Sequence, residues 1–136
     1  QWDLVDREDL KYKYLNAWDS DMLHVLAKIR QFPVCKVKKM WEKDDDQVLA
    51  FMRGEYLFVF NFSPVNSHSD YKILTPEGEY EGVINTDSPK YGGYGNIDDS
   101  VNHFTEHDEL YAKAGGLGWL KLYLPARSAQ ILKLKK

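Results

Sequence analysis

Aromatic side chains are the residues of this chain whose chemistry is most typical of a binding surface. They make up 14% of the sequence, with 9 Tyr and 4 Trp. An exposed aromatic ring offers a flat apolar face that can stack on a sugar ring, while the polar atoms of Tyr and Trp still reach solvent. Packing in the core is the alternative for each of them. The candidates for stacking are Trp41, Tyr91, Tyr94 and Trp119.

Two other sets of residues have to be considered as metal or nucleophile sites. His103 and His107 are four residues apart, which on a helix would place both rings on one face, as in zinc sites. The residues between them indicate extended chain instead, so we predict no metal site. Cys35 is the single cysteine and has no histidine close to it in sequence. We interpret it as a small apolar filler rather than a nucleophile.

The acidic and glycine-rich segments lack the patterns that catalysis or phosphate binding requires. Retaining glycoside hydrolysis needs two carboxyl groups roughly 5–5.5 Å apart in a pocket, whereas adjacent acids such as Asp98 and Asp99 usually form a solvated surface. Gly92–Gly95 is not followed by the Lys-Ser or Lys-Thr pair of a phosphate-binding loop. We interpret it as a loop that needs positive φ angles. The sequence therefore predicts no catalytic residue and no cofactor.

Length, charge and cysteine content restrict the class of protein. A chain of 136 residues is typical of one domain with a real core. A net charge of -3 argues against a nucleic-acid partner and gives no electrostatic reason for membrane binding. No apolar run approaches the ~20 residues that span a bilayer. Because a single cysteine cannot form an internal disulfide, we predict a cytoplasmic location.

The first 33 residues have the periodicity of a helix. Their apolar side chains recur at steps of three and four residues, which places them on one face. Pro33 ends this pattern, because proline lacks an N–H and restricts the residue before it. The apolar positions are Leu15, Trp18, Met22, Val25, Leu26 and Ile29.

After Pro33 the pattern changes to short strands separated by turns. The predicted strands are residues 34–41, 48–53, 56–62, 70–74, 79–86, 119–124 and 128–134. Apolar side chains occupy both faces of residues 56–62, which indicates a central strand buried on both sides. We therefore predict a mainly β chain, with an antiparallel sandwich over residues 34–136 preceded by a helical segment over residues 1–33.

Four segments resemble, in the same order, the C-terminal region of glycogen (1,4-α-glucan) branching enzymes of the amylase-type glycoside hydrolase superfamily. They are Leu10–Asp19 (LKYKYLNAWD); Leu57–Pro64 (LFVFNFSP) with Asp70 and Tyr71; Ile84–Asp87 (INTD) with Tyr91–Gly93; and Leu122–Ala129 (LYLPARSA) with Ile131 and Leu132. Ser63 and Tyr94 depart from the family pattern, and residues 105–117 match none of it. We therefore transfer no sugar contact from the family.

The resemblance implies a longer parent enzyme with a catalytic (β/α)₈ barrel. Such an enzyme breaks an α-1,4 link, holds the glucan on an aspartate and transfers it to a 6-hydroxyl. Residues 1–33 would be the helical tail of the barrel and residues 34–136 an accessory domain with no catalytic residue. The barrel and α-glucan would be its partners. In the isolated chain, the apolar helix face would have to pack on its own sandwich or on a second copy.

Two other functions are consistent with the same residues. The chain could be an independent carbohydrate-binding module, or the C-terminal domain of another amylase-type hydrolase or debranching enzyme. The helical segment favours a branching-enzyme domain over a free module, which has no use for a barrel helix. The Tyr91–Gly93 segment and the last two strands favour branching enzymes over other amylase relatives, by resemblance.

Overall fold

The computed structural model describes residues 16–25, 27–28 and 37–135 of the chain. Several positions that the sequence singles out lie outside this part, namely Leu15, Leu26, Ile29, Pro33 and Cys35. The boundary between residues 33 and 34 lies outside it as well. The division into a helical tail over residues 1–33 and a β domain over residues 34–136 therefore stays a prediction.

The described residues form nine strands, two α-helices and one short 3-10 helix, Pro89–Tyr91. The strands are β1 (Val37–Lys43), β2 (Val48–Arg53), β3 (Tyr56–Asn61), β4 (His68–Pro76), β5 (Glu79–Asn85), β6 (His103–Phe104), β7 (Glu106–His107), β8 (Leu117–Leu124) and β9 (Ser128–Lys135). The helical residues 16–25 and 27–28 form α1, and Glu109–Gly115 forms α2. Neither helix, over its described residues, has the length and apolar character needed to cross a bilayer.

The strands form two antiparallel sheets, which confirms the predicted fold class. The larger sheet has six strands in the order β1-β2-β3-β9-β5-β6, and the smaller has three in the order β4-β8-β7. Each pair of neighbours is antiparallel. Two sheets that each bury one face against the other are the usual way in which a chain of this composition excludes water from its apolar side chains.

The inner core lies between the two sheets and follows from the alternation of side chains along each strand. In β2, Val48, Ala50 and Met52 are buried and point to this core. β8 contributes Leu120, Leu122 and Leu124 on the same principle. The fully buried hydroxyl of Tyr80 donates to the carbonyl of Pro76 at 2.7 Å and lies 2.8 Å from Thr75 Oγ1. Burial raises the pKa of Tyr80 to about 12.

The central strand β3 is buried on both faces, as its sequence predicts. Leu57 and Val59 point to the inner core, while Tyr56 and Phe58 point to the opposite, outer face of the six-stranded sheet. α1 covers that outer face, where Val25 is buried in the same cluster as Tyr56 and Phe58. The apolar side of α1 therefore packs on its own sandwich, one of the two alternatives that the sequence leaves open.

The chain changes sheets between β8 and β9. β8 belongs to the three-stranded sheet and β9 to the six-stranded sheet, although only residues 125–127 separate them. Arg127 takes a left-handed backbone conformation with φ 51° in this corner. The sequence predicts both strands and the break, but not the change of sheet, because a strand's hydrophobic pattern is the same in either layer.

α2 is an element that the sequence does not predict. Its seven residues are too few to repeat an apolar face, which is the pattern on which helix prediction depends. Both of its ends carry ordinary capping residues. At the start, the Asp108 side chain accepts the N–H of Leu110, and at the end, Gly116 takes a left-handed conformation with φ 68°. The helix lies within residues 105–117, the segment that also matched nothing in the family pattern.

We expect Leu57→Ala to lower the free energy of unfolding by about 2–5 kcal/mol, the range for truncating a buried leucine. Leu57 is 0% exposed at the centre of the sandwich. Leu110→Ala is the matched control: Leu110 is 71% exposed, so we expect a change within about 0.5 kcal/mol. Urea unfolding of the two variants measures both values, and an equal effect would contradict the position assigned to β3.

Candidate functional site

A groove lies at the end of the sandwich where β3, β5 and β8 stop and β4 and β9 begin. Its volume is about 510 Å³, within the range of ~300–1,000 Å³ that is usual for small-molecule sites. Three segments form its walls, namely residues 64–67, 86–96 and 123–128. We call it the end groove. The residues that line it include Ser67, Asp87, Tyr94, Asn96, Tyr123 and Arg127.

The buried carboxylate of Asp87 shapes the wall formed by residues 86–96. Its Oδ2 accepts the backbone N–H of Asn96 at 2.7 Å, and its Oδ1 accepts that of Tyr94 at 3.3 Å. The backbone carbonyl of Asp87 accepts the N–H of Gly95 at 2.7 Å. An ionised carboxylate is a strong acceptor for several N–H groups, so one side chain can fix a turn that has no strand partner.

The side chain of Asn61 fixes the opposite wall. Asn61 lies at the end of β3, and its Nδ2 donates to the carbonyls of Asn66 at 2.8 Å and Leu124 at 3.1 Å. Its Oδ1 accepts the N–H of Ser63 at 3.0 Å. A single buried amide thus joins the end of β3, the loop after it and the end of β8, because each polar atom must find a partner once it is buried.

Tyr94 is the aromatic candidate that reaches the end groove. It is 90% exposed, and its backbone is fixed by Asp87. The exposed Arg127 and Asn96 supply hydrogen-bond donors and an acceptor within the same groove. An exposed aromatic ring beside a few polar groups is suited to bind a neutral, hydroxyl-rich molecule such as a sugar.

Tyr91 lies three residues from Tyr94 but faces α1 instead of the groove. Its ring contacts Trp18 edge to face, with centroids 5.1 Å apart. Its hydroxyl donates to Asp21 Oδ2. Burial, followed by the hydrogen bond to Asp21, raises the pKa of Tyr91. These contacts favour the packing alternative that the sequence leaves open for this residue.

Trp41 and Trp119 lie against each other, away from the end groove. Their rings meet edge to face with centroids 5.8 Å apart. Trp41 Nε1 donates to the hydroxyl of Tyr71 at 3.1 Å, and Trp119 Nε1 donates to Asp108 Oδ2 at 3.3 Å. Both rings are half-buried, and Trp41 packs against the inner core. Their contacts also favour packing, so the structure brings one of the four candidates to the groove.

Tyr123 and Arg127 line the groove but were not candidates from the sequence. Tyr123 occupies an outward position of β8 between the buried Leu122 and Leu124. This alternation of side chains is visible in the sequence, and it indicates that Tyr123 points away from the inner core. Arg127 gives no such signal, because its place in the groove depends on the change of sheet between β8 and β9.

The two histidines with helical spacing lie in extended chain. His103 belongs to β6 and His107 to β7, and His107 Nδ1 is 2.7 Å from Glu77 Oε1. Burial lowers the pKa of His103. Over residues 16–25, 27–28 and 37–135, no three His, Cys, Asp or Glu side chains are grouped closely enough to hold a metal ion.

Comparison with known proteins decides the family. The family described as "Alpha amylase, C-terminal all-beta domain" matches residues 41–135, well over half of the chain. The chain belongs to this family. The matched residues include nearly all of the two sheets, the walls of the end groove and α2. The match begins within β1, so α1 precedes the part that defines the family.

Three relatives show which enzymes within this superfamily the chain resembles. A 1,4-alpha-glucan-branching enzyme of Rhizophagus irregularis is 34% identical over 133 residues, which cover 97% of this chain and 19% of that protein. The enzyme of the same name from Saccharomyces cerevisiae is 31% identical, with 100% and 19% covered. That of Solanum tuberosum is 37% identical, with 81% and 13% covered. The resemblance read from four sequence segments is confirmed, and the chain spans about a fifth or less of these relatives.

We expect Gly93→Ala to destabilise the domain by roughly 1–3 kcal/mol, the usual cost of forcing extra atoms into a packed site. A Cβ at Gly93 would lie 2.2 Å from the backbone of Asp87. At Gly115, the nearest atom would be 3.9 Å away, so Gly115→Ala should change stability by less than about 1 kcal/mol. Thermal unfolding compares the two, and a tolerated Gly93→Ala would refute the geometry of this turn.

The second tyrosine–aspartate pair of the domain predicts a pH dependence. The Tyr71 hydroxyl donates to Asp46 Oδ2 at 2.7 Å, and this bond, followed by Lys43 and His68, holds the pKa of Asp46 below its ordinary value of 3.8. A lowered carboxyl pKa stabilises the fold above the ordinary value, and this stabilisation is lost as the pH falls through the lowered one.

We therefore expect Tyr71→Phe to raise the pKa of Asp46 towards 3.8, since the largest cause of its shift is removed. The loss of unfolding free energy relative to the original chain should be largest near neutral pH and shrink in acid. Carbon-13 NMR titration of the Asp46 carboxyl and denaturant unfolding across the pH range measure the two effects. A stability difference that grows on acidification would contradict the assignment.

Proposed function

We propose that this chain is the C-terminal accessory domain of a 1,4-α-glucan branching enzyme, and that it contacts α-glucan through the end groove. The parent enzyme transfers α-1,4-linked glucan to form α-1,6 branches. The barrel of the parent supplies the catalytic carboxylates, and this chain supplies none. Its cytoplasmic location stays a prediction.

The match to a limited part of much longer branching enzymes carries the first half of the proposal. The Rhizophagus irregularis relative aligns with 97% of this chain but uses 19% of its own length to do so. The remainder of such a relative is long enough for a catalytic barrel, which typically needs ≈ 250 residues. An accessory domain of a larger enzyme accounts for a match that covers nearly all of this chain but only a small part of the relative.

The position of Tyr94 supports the second half of the proposal. Glucan is uncharged and carries hydroxyls at the rim of flat rings, so its binding needs an aromatic face and hydrogen-bonding groups beside it. Tyr94 supplies the face, and Asn96 and Arg127 supply polar groups in the same groove. Because Asp87 holds the backbone of Tyr94, binding of a ligand would have to order the side chain but not the turn.

A row of stacked phenylalanines on the outer face of the six-stranded sheet supports contact with the parent's barrel. Phe51, Phe60 and Phe62 stack with centroids 5.8 Å and 5.6 Å apart. Phe62, at the end of the row, is 57% exposed. A neighbour that covers it would remove apolar surface from water, and α1 already covers the adjoining part of this face. In the isolated chain, self-association through the same ring is the alternative.

The presence of a helix does not by itself exclude an independent carbohydrate-binding module. α1 packs on the outer face of the sheet, where Val25 is buried against β3, so the helix has a structural use within this chain. The relatives favour the accessory domain instead, since each of these three is a branching enzyme and this chain matches a small part of its length. A free module would be expected to bind glycogen tightly without any other domain.

We expect Tyr94→Ala to weaken binding of maltoheptaose by about tenfold or more, the effect of truncating an aromatic anchor at the centre of a contact. Isothermal titration calorimetry measures the dissociation constant for the original chain and the variant. Phe104→Ala is the matched control, because Phe104 is also an exposed aromatic residue but lies at the opposite end of β5, paired with Glu79. It should leave the affinity unchanged.

A second measurement in the same samples separates the domain from an enzyme. The chain alone, incubated with amylose, should leave the absorbance of the iodine complex unchanged, because branching shortens the helices that bind iodine. No binding by the original chain, or equal losses in Tyr94→Ala and Phe104→Ala, would refute the glucan contact. A change in the iodine spectrum would refute the accessory role, and tight glycogen binding would favour the independent module.

A further inference from the structure

One short turn carries two tyrosines that face different surfaces of the molecule. Tyr94 lines the end groove, whereas Tyr91, three residues earlier, contacts α1 through Trp18 and Asp21. The turn therefore connects the helix on the outer face of the sheet with a wall of the groove. A contact at one tyrosine can affect the other if the turn between them moves as a unit.

Two consecutive residues of the turn bind the same carboxylate of α1. The hydroxyl of Tyr91 donates to Asp21 Oδ2, and Lys90 Nζ lies 2.7 Å from the same oxygen. The hydrogen bond from Lys90, followed by that from Tyr91, lowers the pKa of Asp21. Asp21 therefore remains ionised through the physiological range and keeps both partners, which makes these charge-assisted bonds stronger than neutral ones.

The backbone of the turn is fixed closely enough to transmit a displacement. The carbonyl of Ser88 accepts the N–H of Tyr91 at 2.9 Å and that of Gly93 at 3.0 Å. Gly93 packs directly against the backbone of Asp87, where a Cβ would have no room. The Asp87 carboxylate then binds the N–H groups of Tyr94 and Asn96. Hydrogen bonds and close packing thus connect the backbone of Tyr91 with that of Tyr94.

The distribution of polar contacts on α1 favours this link over a general anchor. Within the described residues, the side-chain hydrogen bonds and ion pairs that run from α1 to the rest of the chain end on Lys90 and Tyr91. His24 instead contacts the carbonyl of Ser20 within the helix. Among the described residues of α1, Trp18, Met22 and Val25 make apolar contacts on the outer face of the sheet, and such contacts have no preferred direction.

We propose that Tyr91 is a positioning residue, through which α1 sets the placement of Tyr94 in the end groove. A displacement of α1 would then change the position of Tyr94 in the groove. In the parent enzyme, the neighbouring barrel would be the domain that contacts α1. The identity of the groove's ligand as α-glucan rests on the proposed function. The mechanical link itself does not depend on that identity.

Tyr91→Phe tests the link with a small change, since it keeps the ring against Trp18 and removes only the hydroxyl. Tyr71→Phe is the matched control, because it removes the other tyrosine–aspartate hydrogen bond, between Tyr71 and Asp46. The first measurement is hydrogen exchange of the backbone N–H groups of Gly95 and Asn96, which bind Asp87. We expect about tenfold faster exchange in Tyr91→Phe, and no change at these positions in Tyr71→Phe.

The second measurement is the dissociation constant for maltoheptaose, which we expect Tyr91→Phe to raise by about threefold to tenfold while Tyr71→Phe leaves it unchanged. Asp21→Asn should act at least as strongly as Tyr91→Phe, because it weakens the hydrogen bond from Tyr91 and also removes the ion pair with Lys90. Adding Tyr91→Phe to Asp21→Asn should have little further effect, because both changes act on the bond between Tyr91 and Asp21. Non-additivity of this kind would not arise from two independent losses of stability.

The two measurements separate failure of the link from failure of the proposed function. Faster exchange at Gly95 and Asn96 in a chain that does not bind maltoheptaose would support the link and refute the glucan contact. Unchanged exchange in Tyr91→Phe, or an equal change in Tyr71→Phe, would overturn the link whether or not glucan binds. Full additivity of Asp21→Asn and Tyr91→Phe would overturn it as well.

Discussion

The burial of β3 on both of its faces is the constraint on which the rest of the structure depends. Leu57 and Val59 require the three-stranded sheet on one side, and Tyr56 and Phe58 require a cover on the other. A sandwich alone does not bury both faces of such a strand, because the outer face of a sandwich is normally solvated. α1 supplies the cover, and its place on the sheet brings Trp18 and Asp21 to the turn that holds Tyr91.

The end groove is built without a helix or strand at its centre. Its walls are loops, and each is held by one buried polar side chain: Asp87 on one side and Asn61 on the other. Both residues follow or end a strand of the six-stranded sheet, so the rigid sheet fixes the position of the loops. This arrangement leaves the Tyr94 side chain exposed on a hydrogen-bonded backbone, and the proposed glucan contact depends on that geometry.

The domain has two separate surfaces, and its proposed function would use both. Phe62 and α1 occupy the outer face of the six-stranded sheet, where a larger neighbour can cover apolar surface, while the end groove stays open to solvent. The turn over residues 87–96 lies between them and touches both. In the proposed branching enzyme, the outer face would meet the catalytic barrel, the end groove would meet glucan, and this turn would connect the two surfaces.

The sequence alone determined the class of fold and most of the strands, because strand alternation and turn residues are local properties. It gave β2 its bounds, marked β3 as central, and placed Tyr94 among four candidates for the site. The family was indicated separately, by the resemblance of four segments. The tertiary structure decided what each aromatic residue does: Tyr91 joins α1, Trp41 and Trp119 pack on each other, and Tyr94 reaches the groove. These outcomes depend on which sheet a strand enters, and at the corner of residues 125–127 the pattern of side chains is the same for either sheet. Long-range packing makes that choice, so no window of sequence contains it.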